Sequence, residues 1–118
     1  MENILLNFYI ETIDIPTFEK LYNKDINVLD VRKPGEWSAE HIDTAQHFAL
    51  DYINNQMAEI SQEKTYYMHC RSGFRSTVAA SILKSRGFHN IVNIQGLFTD
   101  IIKSSVPTGD FVCPSTLK

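Results

Sequence analysis

Residues 66–77 read Tyr66-Tyr67-Met68-His69-Cys70-Arg71-Ser72-Gly73-Phe74-Arg75-Ser76-Thr77. With Thr65 in front, the first residues are rich in β-formers and predict a short strand. Beyond Thr77, Val78, Ala79, Ile82 and Leu83 recur at i, i+1, i+4 and i+5, an apolar stripe that predicts a helix. Gly87 is placed to end it. A strand that runs through a short loop into a helix is half of a parallel crossover unit. In parallel sheets ligands collect beyond the carboxyl ends of the strands. The loop holding Cys70 lies at such an end.

Outward from this stretch, strands and helical patterns alternate. Upstream, Ile10–Ile13 predicts a strand, and Asp14 precedes a helix that contains Pro16, Phe18, Leu21 and Tyr22. Ile26–Val31 is a mostly apolar strand of the kind buried in a parallel sheet. Lys33-Pro34-Gly35 breaks it, Glu36–His41 predicts about one helical turn, and Ala45–Ala49 is a weaker strand. Asp51 is expected to cap a helix with Ile53, Met57 and Ile60 on one face. Downstream, Ile91–Ile94 is a last strand and Gly96 opens a helix with Leu97, Ile101 and Ile102. From about Ser104, Pro107, Gly109 and Pro114 predict an irregular tail. The expected architecture is a single α/β domain over residues 1–118. It has a central, mostly parallel sheet of about five strands with helices on both faces.

Composition narrows the function classes. A net charge of −3 gives no overall attraction to nucleic acid or to an anionic membrane, so anion binding has to be local. No apolar run approaches the roughly 20 residues that span a bilayer. Met1-Glu2-Asn3-Ile4-Leu5-Leu6 lacks the basic start of a signal peptide, so a cytoplasmic location is expected. Two cysteines, Cys70 and Cys113, make no disulfide framework, and neither a CxxC pair nor paired helical histidines point to a metal. His41, His47, His69 and His89 read as packing or surface residues. No cofactor is called for.

The Cys70 loop carries the chemistry. A cysteine that faces converging backbone N–H groups, a helix N-terminus and guanidinium charge is held toward thiolate. Gly73 permits a tight curl, Ser72, Ser76 and Phe74 complete the loop, and Arg71 and Arg75 offer planar forks suited to tetrahedral oxyanions. His69 is a poor base for Cys70, because neighbouring strand residues point to opposite faces. Asp30 and Arg32 fall on one face at a strand end. They either support the cysteine loop or form a structural ion pair, with Arg32 reaching Glu36; the structural role is favoured. Cys113, beside Pro114, reads as a bystander, with a sulfur acceptor or oxidative partner of Cys70 as the sharper alternative.

Cys70-Arg71-Ser72-Gly73-Phe74-Arg75-Ser76 closely resembles the active-site loop of the rhodanese family, its single-domain members in particular. Leu29–Ile42 is similar to the family's upstream Asp-Val-Arg signature, and Gly87–Gly96 to its segment after the catalytic helix. Glu40, Leu97 and Ile101 depart from the usual pattern, where glycine, glycine and tryptophan are frequent. The resemblance implies a sulfurtransferase with Cys70 as nucleophile and residues 71–76 holding the donor. The donor would be thiosulfate or a persulfide or polysulfide. The acceptor would be a low-molecular-weight thiol, cyanide or a protein thiol. Cysteine phosphatases are the nearest rival, but they place five residues between cysteine and arginine, and here only Arg71, Ser72, Gly73 and Phe74 intervene. A non-catalytic binding or redox-sensing module is the other alternative.

Overall fold

The computed structural model describes residues 10–72 and 74–109. Five strands form one sheet in the order β1-β6-β5-β2-β4, with every pairing parallel. These are β1 (Glu11–Asp14), β2 (Asn27–Asp30), β4 (Gln46–His47), β5 (Tyr66–His69) and β6 (Ile91–Gln95). The helices are α1 (Ile15–Leu21), α2 (Pro34–Ala39), α3 (Ile53–Gln56), α4 (Phe74–Ser85) and α5 (Phe98–Lys103). Register places Leu29 beside Met68 and Met68 beside Asn93, with Asp30 beside His69 in the next row.

Strand alternation divides the core in two. Leu29, Met68, Tyr66 and Ile91 face one side, where they pack with Ala79, Ala80 and Leu83 of α4 and with Ile53 of α3. Val28 and Ile94 face the other, against Ile15 and Phe18 of α1 and Phe98 and Ile101 of α5. Phe18 is fully buried, which contributes roughly 1.5–3 kcal/mol. Cys70 continues the alternation of β5 onto the α4 side.

Local chemistry sets the element ends. Asp14 caps α1 by accepting the N–H of Thr17 at 2.9 Å, with Pro16 in the first turn. At the end of α4, Phe88 N–H donates to Leu83 O at 3.0 Å and Gly87 N–H to Lys84 O at 3.2 Å. Gly87 takes φ +96°, the left-handed conformation that this double closure requires. Trp37 of α2 stacks on His41 with ring centres 3.6 Å apart and on His47 at 4.8 Å, bracing the helix against the two following strands.

Four expectations need correction. The buried stripe of α4 is Ser76, Ala79, Ala80 and Leu83, while Val78 is exposed. Turning Ser76 inward carries Val78 outward. Asp51 caps nothing: it lies inside a 3₁₀ turn (Leu50–Tyr52), and the helix predicted behind it breaks into the single turn α3 and a second 3₁₀ turn (Met57–Glu59). Leu97 is exposed at the mouth of α5 and Phe98 is the residue that turns inward. The tail expected to be irregular from about Ser104 contains β7 (Thr108–Gly109), which pairs antiparallel with β3 (His41–Ile42). Cys113 lies outside the described residues.

Candidate active site

β5 ends at His69, and Cys70 is the first residue past the sheet. Its sulfur lies over the first turn of α4, where backbone N–H groups have no helical partner. Ser76 N–H donates to Cys70 Sγ at 3.3 Å, and the Cys70 thiol lies 3.6 Å from Ser76 Oγ. Cys70 and Ser76 are 1% and 0% exposed. Burial in apolar surroundings favours the neutral thiol, whereas an N–H donor and a helix N-terminus favour the charged form.

The two arginines of the loop part company. Arg75 makes a two-pronged pair with Glu36 of α2, Nη1 to Oε1 at 2.7 Å and Nη2 to Oε2 at 3.0 Å. Glu36 also accepts Lys33 N–H at 3.0 Å, within its own helix cap. The Arg75 hydrogen bonds, helped by the Lys33 N–H, hold the Glu36 carboxyl down at about 2. Arg75 is correspondingly held more firmly protonated, chiefly by the hydrogen bonds to Glu36. Arg71 is exposed, and its carbonyl accepts Phe98 N–H at 2.8 Å, which ties the loop after β5 to the loop after β6. Gln95 Nε2 donates to Ser72 O at 3.4 Å in the same tie. Phe74 is 75% exposed at the head of α4. Gly73 lies outside the described residues.

Asp30 and Arg32 form a buried pair, and Arg32 does not reach Glu36 with a hydrogen bond. Arg32 Nη2 and Nε donate to Asp30 at 2.8 and 3.0–3.1 Å, and Arg32 N–H donates to Asp30 Oδ1 at 3.0 Å. Arg32 Nη2 also donates to Glu40 O at 2.6 Å, and its guanidinium carbon lies 3.8 Å from the centre of the Phe98 ring. The guanidinium is thus bonded through Nε and Nη2 and lays one face on an aromatic ring, a cation–π contact. His69 stacks on Phe98, with ring centres 5.5 Å apart, and its Nε2 lies 3.6 Å from Asp30 Oδ2. Burial pushes the His69 imidazole down, against the opposing pull of the Asp30 carboxylate. Burial alone would raise the Asp30 carboxyl, but His69 and the Arg32 hydrogen bonds outweigh it and hold it low. His69 is on the α5 side of the sheet, away from the Cys70 sulfur.

A groove of about 310 Å³ opens beside the loop, lined by Arg32, Glu36, Glu40, Arg71, Phe98 and Ile102. Among the described residues no cluster of metal-ligating side chains occurs. Two residues have partners at the loop that sequence reasoning did not assign to them. Glu36 holds Arg75, and nothing in the local sequence marks a pairing across 39 positions. Asn93, 1% exposed on β6, accepts the Ser76 hydroxyl on Oδ1 and donates from Nδ2 to Thr77 Oγ1 at 3.1 Å. Its signal was present: a lone amide in the apolar run Ile91-Val92-Asn93-Ile94.

The family model described as "Rhodanese-like domain" matches residues 16–104. A Mycobacterium tuberculosis protein named as a probable adenylyltransferase/sulfurtransferase is 36% identical over 75 residues, covering 62% of this chain and 19% of that protein. A sulfurtransferase of Allochromatium vinosum is 30% identical over 73 residues, covering 62% of this chain and 68% of its own length. The chain thus spans only about a fifth of the Mycobacterium relative. Among solved structures, a rhodanese-related protein from Thermoplasma volcanium superposes with a TM-score of 0.74 at 25% identity, covering 84% of this chain and 97% of that one.

Proposed function

The chain belongs to the rhodanese-like domain family, and we propose that it is a sulfurtransferase whose nucleophile is Cys70. The observation that carries the reading is the seat of the sulfur, which takes a backbone N–H from the first turn of α4 at the carboxyl end of the central strand. The Cys70 thiolate attacks the sulfane sulfur of the donor. The donor's S–S bond breaks, and with thiosulfate the leaving group is sulfite, which departs with the bonding pair. The resulting Cys70 persulfide is then attacked on its outer sulfur by the acceptor, a low-molecular-weight thiol, cyanide or a protein thiol, and Cys70 returns as thiolate. This is covalent catalysis by one activated nucleophile.

The site residues take distinct parts. Arg71, exposed on the groove beside the loop, meets the oxyanion of the donor. Arg75 has two of its nitrogens committed to Glu36, so its main part is to fix the loop against α2, with its charge acting on the donor at longer range. The Ser76 N–H, 3.3 Å from Sγ, holds the sulfur and its anionic persulfide. No metal or organic cofactor enters the steps. No helix among the described residues is long and apolar enough to cross a membrane.

Intact-mass measurement tests this directly. After incubation with thiosulfate or polysulfide, the wild-type chain gains one sulfur and Cys70→Ser gains none. A wild-type chain that takes up no sulfur from any of these donors would sink the assignment.

A further inference from the structure

The described chain leaves the fold at the rim of the groove beside Arg71. β7 runs antiparallel to β3, with Thr108 opposite Ile42 and Gly109 opposite His41. One step further along the same line stands Glu40, and then Ala39, and both line the groove. The direction of β7 therefore aims residue 110 and those after it along the groove wall. The exit is well fixed. Asp43 N–H donates to Pro107 O at 3.0 Å, and the Thr108 hydroxyl donates to Glu40 Oε2 at 2.7 Å. A Cβ on Gly109 would come within 2.8 Å of Asp43 Oδ1, so that carboxylate closes one side of the exit.

The backbone ladder stops there. Glu40 N–H already donates to Glu36 O at 3.3 Å, and Glu40 O accepts Arg32 Nη2 at 2.6 Å, so side chains decide where the chain goes next. The residues that follow are Asp110-Phe111-Val112-Cys113. Asp110 arrives beside Glu40, a like charge, and is no anchor. Phe111 and Val112 bring two adjacent apolar side chains to a groove of about 310 Å³ whose apolar surface comes from Ala39, Phe98 and Ile102. Ile102 is 39% exposed, and covering such surface is favourable. At no more than about 3.6 Å per residue, Phe111 lies within about 7 Å of Gly109 and Val112 within about 11 Å. The amino-terminal segment is not placed to compete, because β1 begins at Glu11, at the end of the parallel sheet opposite the groove. We propose that the groove is the docking site of the chain's own continuation, with Phe111 and Val112 seated against Ala39, Phe98 and Ile102. Arg71 lines the same groove, so the seated tail borders the path by which a donor reaches it.

The thiol of Cys113 reports where the tail lies. In Cys70→Ser it is the chain's one native thiol, so the measurement is independent of any sulfur transfer at Cys70. A second thiol is placed either in the groove, by Thr99→Cys, or against Gly109 itself, by Asp43→Cys. Disulfide formation with diamide is followed by intact mass and peptide mapping in dilute protein. A seated tail closes the bridge in Thr99→Cys about tenfold faster than in Asp43→Cys, because the groove raises the effective concentration of Cys113 there. Adding Phe111→Ser removes that difference. Equal rates, or a faster bridge in Asp43→Cys, overturn the proposal, since a tail held only at Gly109 meets the nearer thiol first; a difference that survives Phe111→Ser overturns it as well. Bridges that join two chains instead of closing within one also overturn it and give the groove to a second copy. Should Thr99→Cys fail to fold, Ala39→Cys on the α2 side of the groove repeats the contrast.

Discussion

Glu36→Gln removes the charge that grips Arg75 while keeping the size and hydrogen-bonding reach of the side chain. The carboxyl is held from its ordinary 4.5 down to about 2. At about 1.36 kcal/mol per pH unit this displacement corresponds to about 3.4 kcal/mol. The two side chains are 27% and 29% exposed, and solvent screens a pair in that position, so about 1 kcal/mol is the expected worth. The sign follows from the depressed carboxyl. Its contribution is fully present above the unfolded value of about 4.5 and is lost as pH falls through about 2. Urea unfolding of wild type and Glu36→Gln, compared at each pH from 7 downward, should show wild type ahead by about 1 kcal/mol at neutral pH. The gap should narrow below pH 4.5, with less than half of it left near about pH 3. Added salt should shrink it as well. A difference that holds constant from neutral to acid pH, or that is insensitive to salt, would show that the charge pair does not anchor the loop.

Two further outcomes follow from the same geometry. Arg71→Ala should raise KM for thiosulfate about tenfold or more, since a charge-assisted contact contributes roughly 1.5–3 kcal/mol. A neutral persulfide donor should be affected by less, and steady-state kinetics with both donors would expose an error if the two losses were equal. Arg32→Met leaves the Asp30 carboxylate buried without its partner, which costs about 3–5 kcal/mol. Thermal unfolding should register that as a large fall in Tm, whereas the double variant Asp30→Asn with Arg32→Met should recover part of it. No recovery would mean that Arg32 acts through packing on Phe98 alone.

The parts of the fold that were legible in the sequence are those written in one short stretch. The strand at 66–69, the loop and α4 follow from β-formers, a glycine and a helical stripe within 22 residues, and the parallel sheet follows from repeating that pattern. Misreadings fell where a polar group faces inward or where partners are distant in sequence. Of the stripe Val78, Ala79, Ile82 and Leu83, the last three pack on the core, but the helix is turned so that Ser76 reaches Cys70 and Asn93, and Val78 is left to solvent. Chemistry at the helix head overrides the apolar count. The β3–β7 ladder pairs two residues with two and carries no alternation to read, and it forms next to a backbone bond from Asp43 N–H to Pro107 O.

The site shows the same division between near and distant partners. Cys70 and its loop were visible because Ser76, which donates its N–H to the sulfur, lies only six positions further along the chain. The pairing of Glu36 with Arg75, in place of the expected Arg32, was invisible because Glu36 belongs to α2, and only the fold sets that helix against the head of α4. The two arginines looked equivalent in the sequence, and their difference is a tertiary fact: Arg75 finds a carboxylate and Arg71 faces the groove. The division therefore gives the loop one paired charge and one exposed charge. In the proposed reaction the paired charge would keep the seat of the sulfur formed while the donor, the leaving anion and the acceptor succeed each other, and the exposed charge would meet the anion.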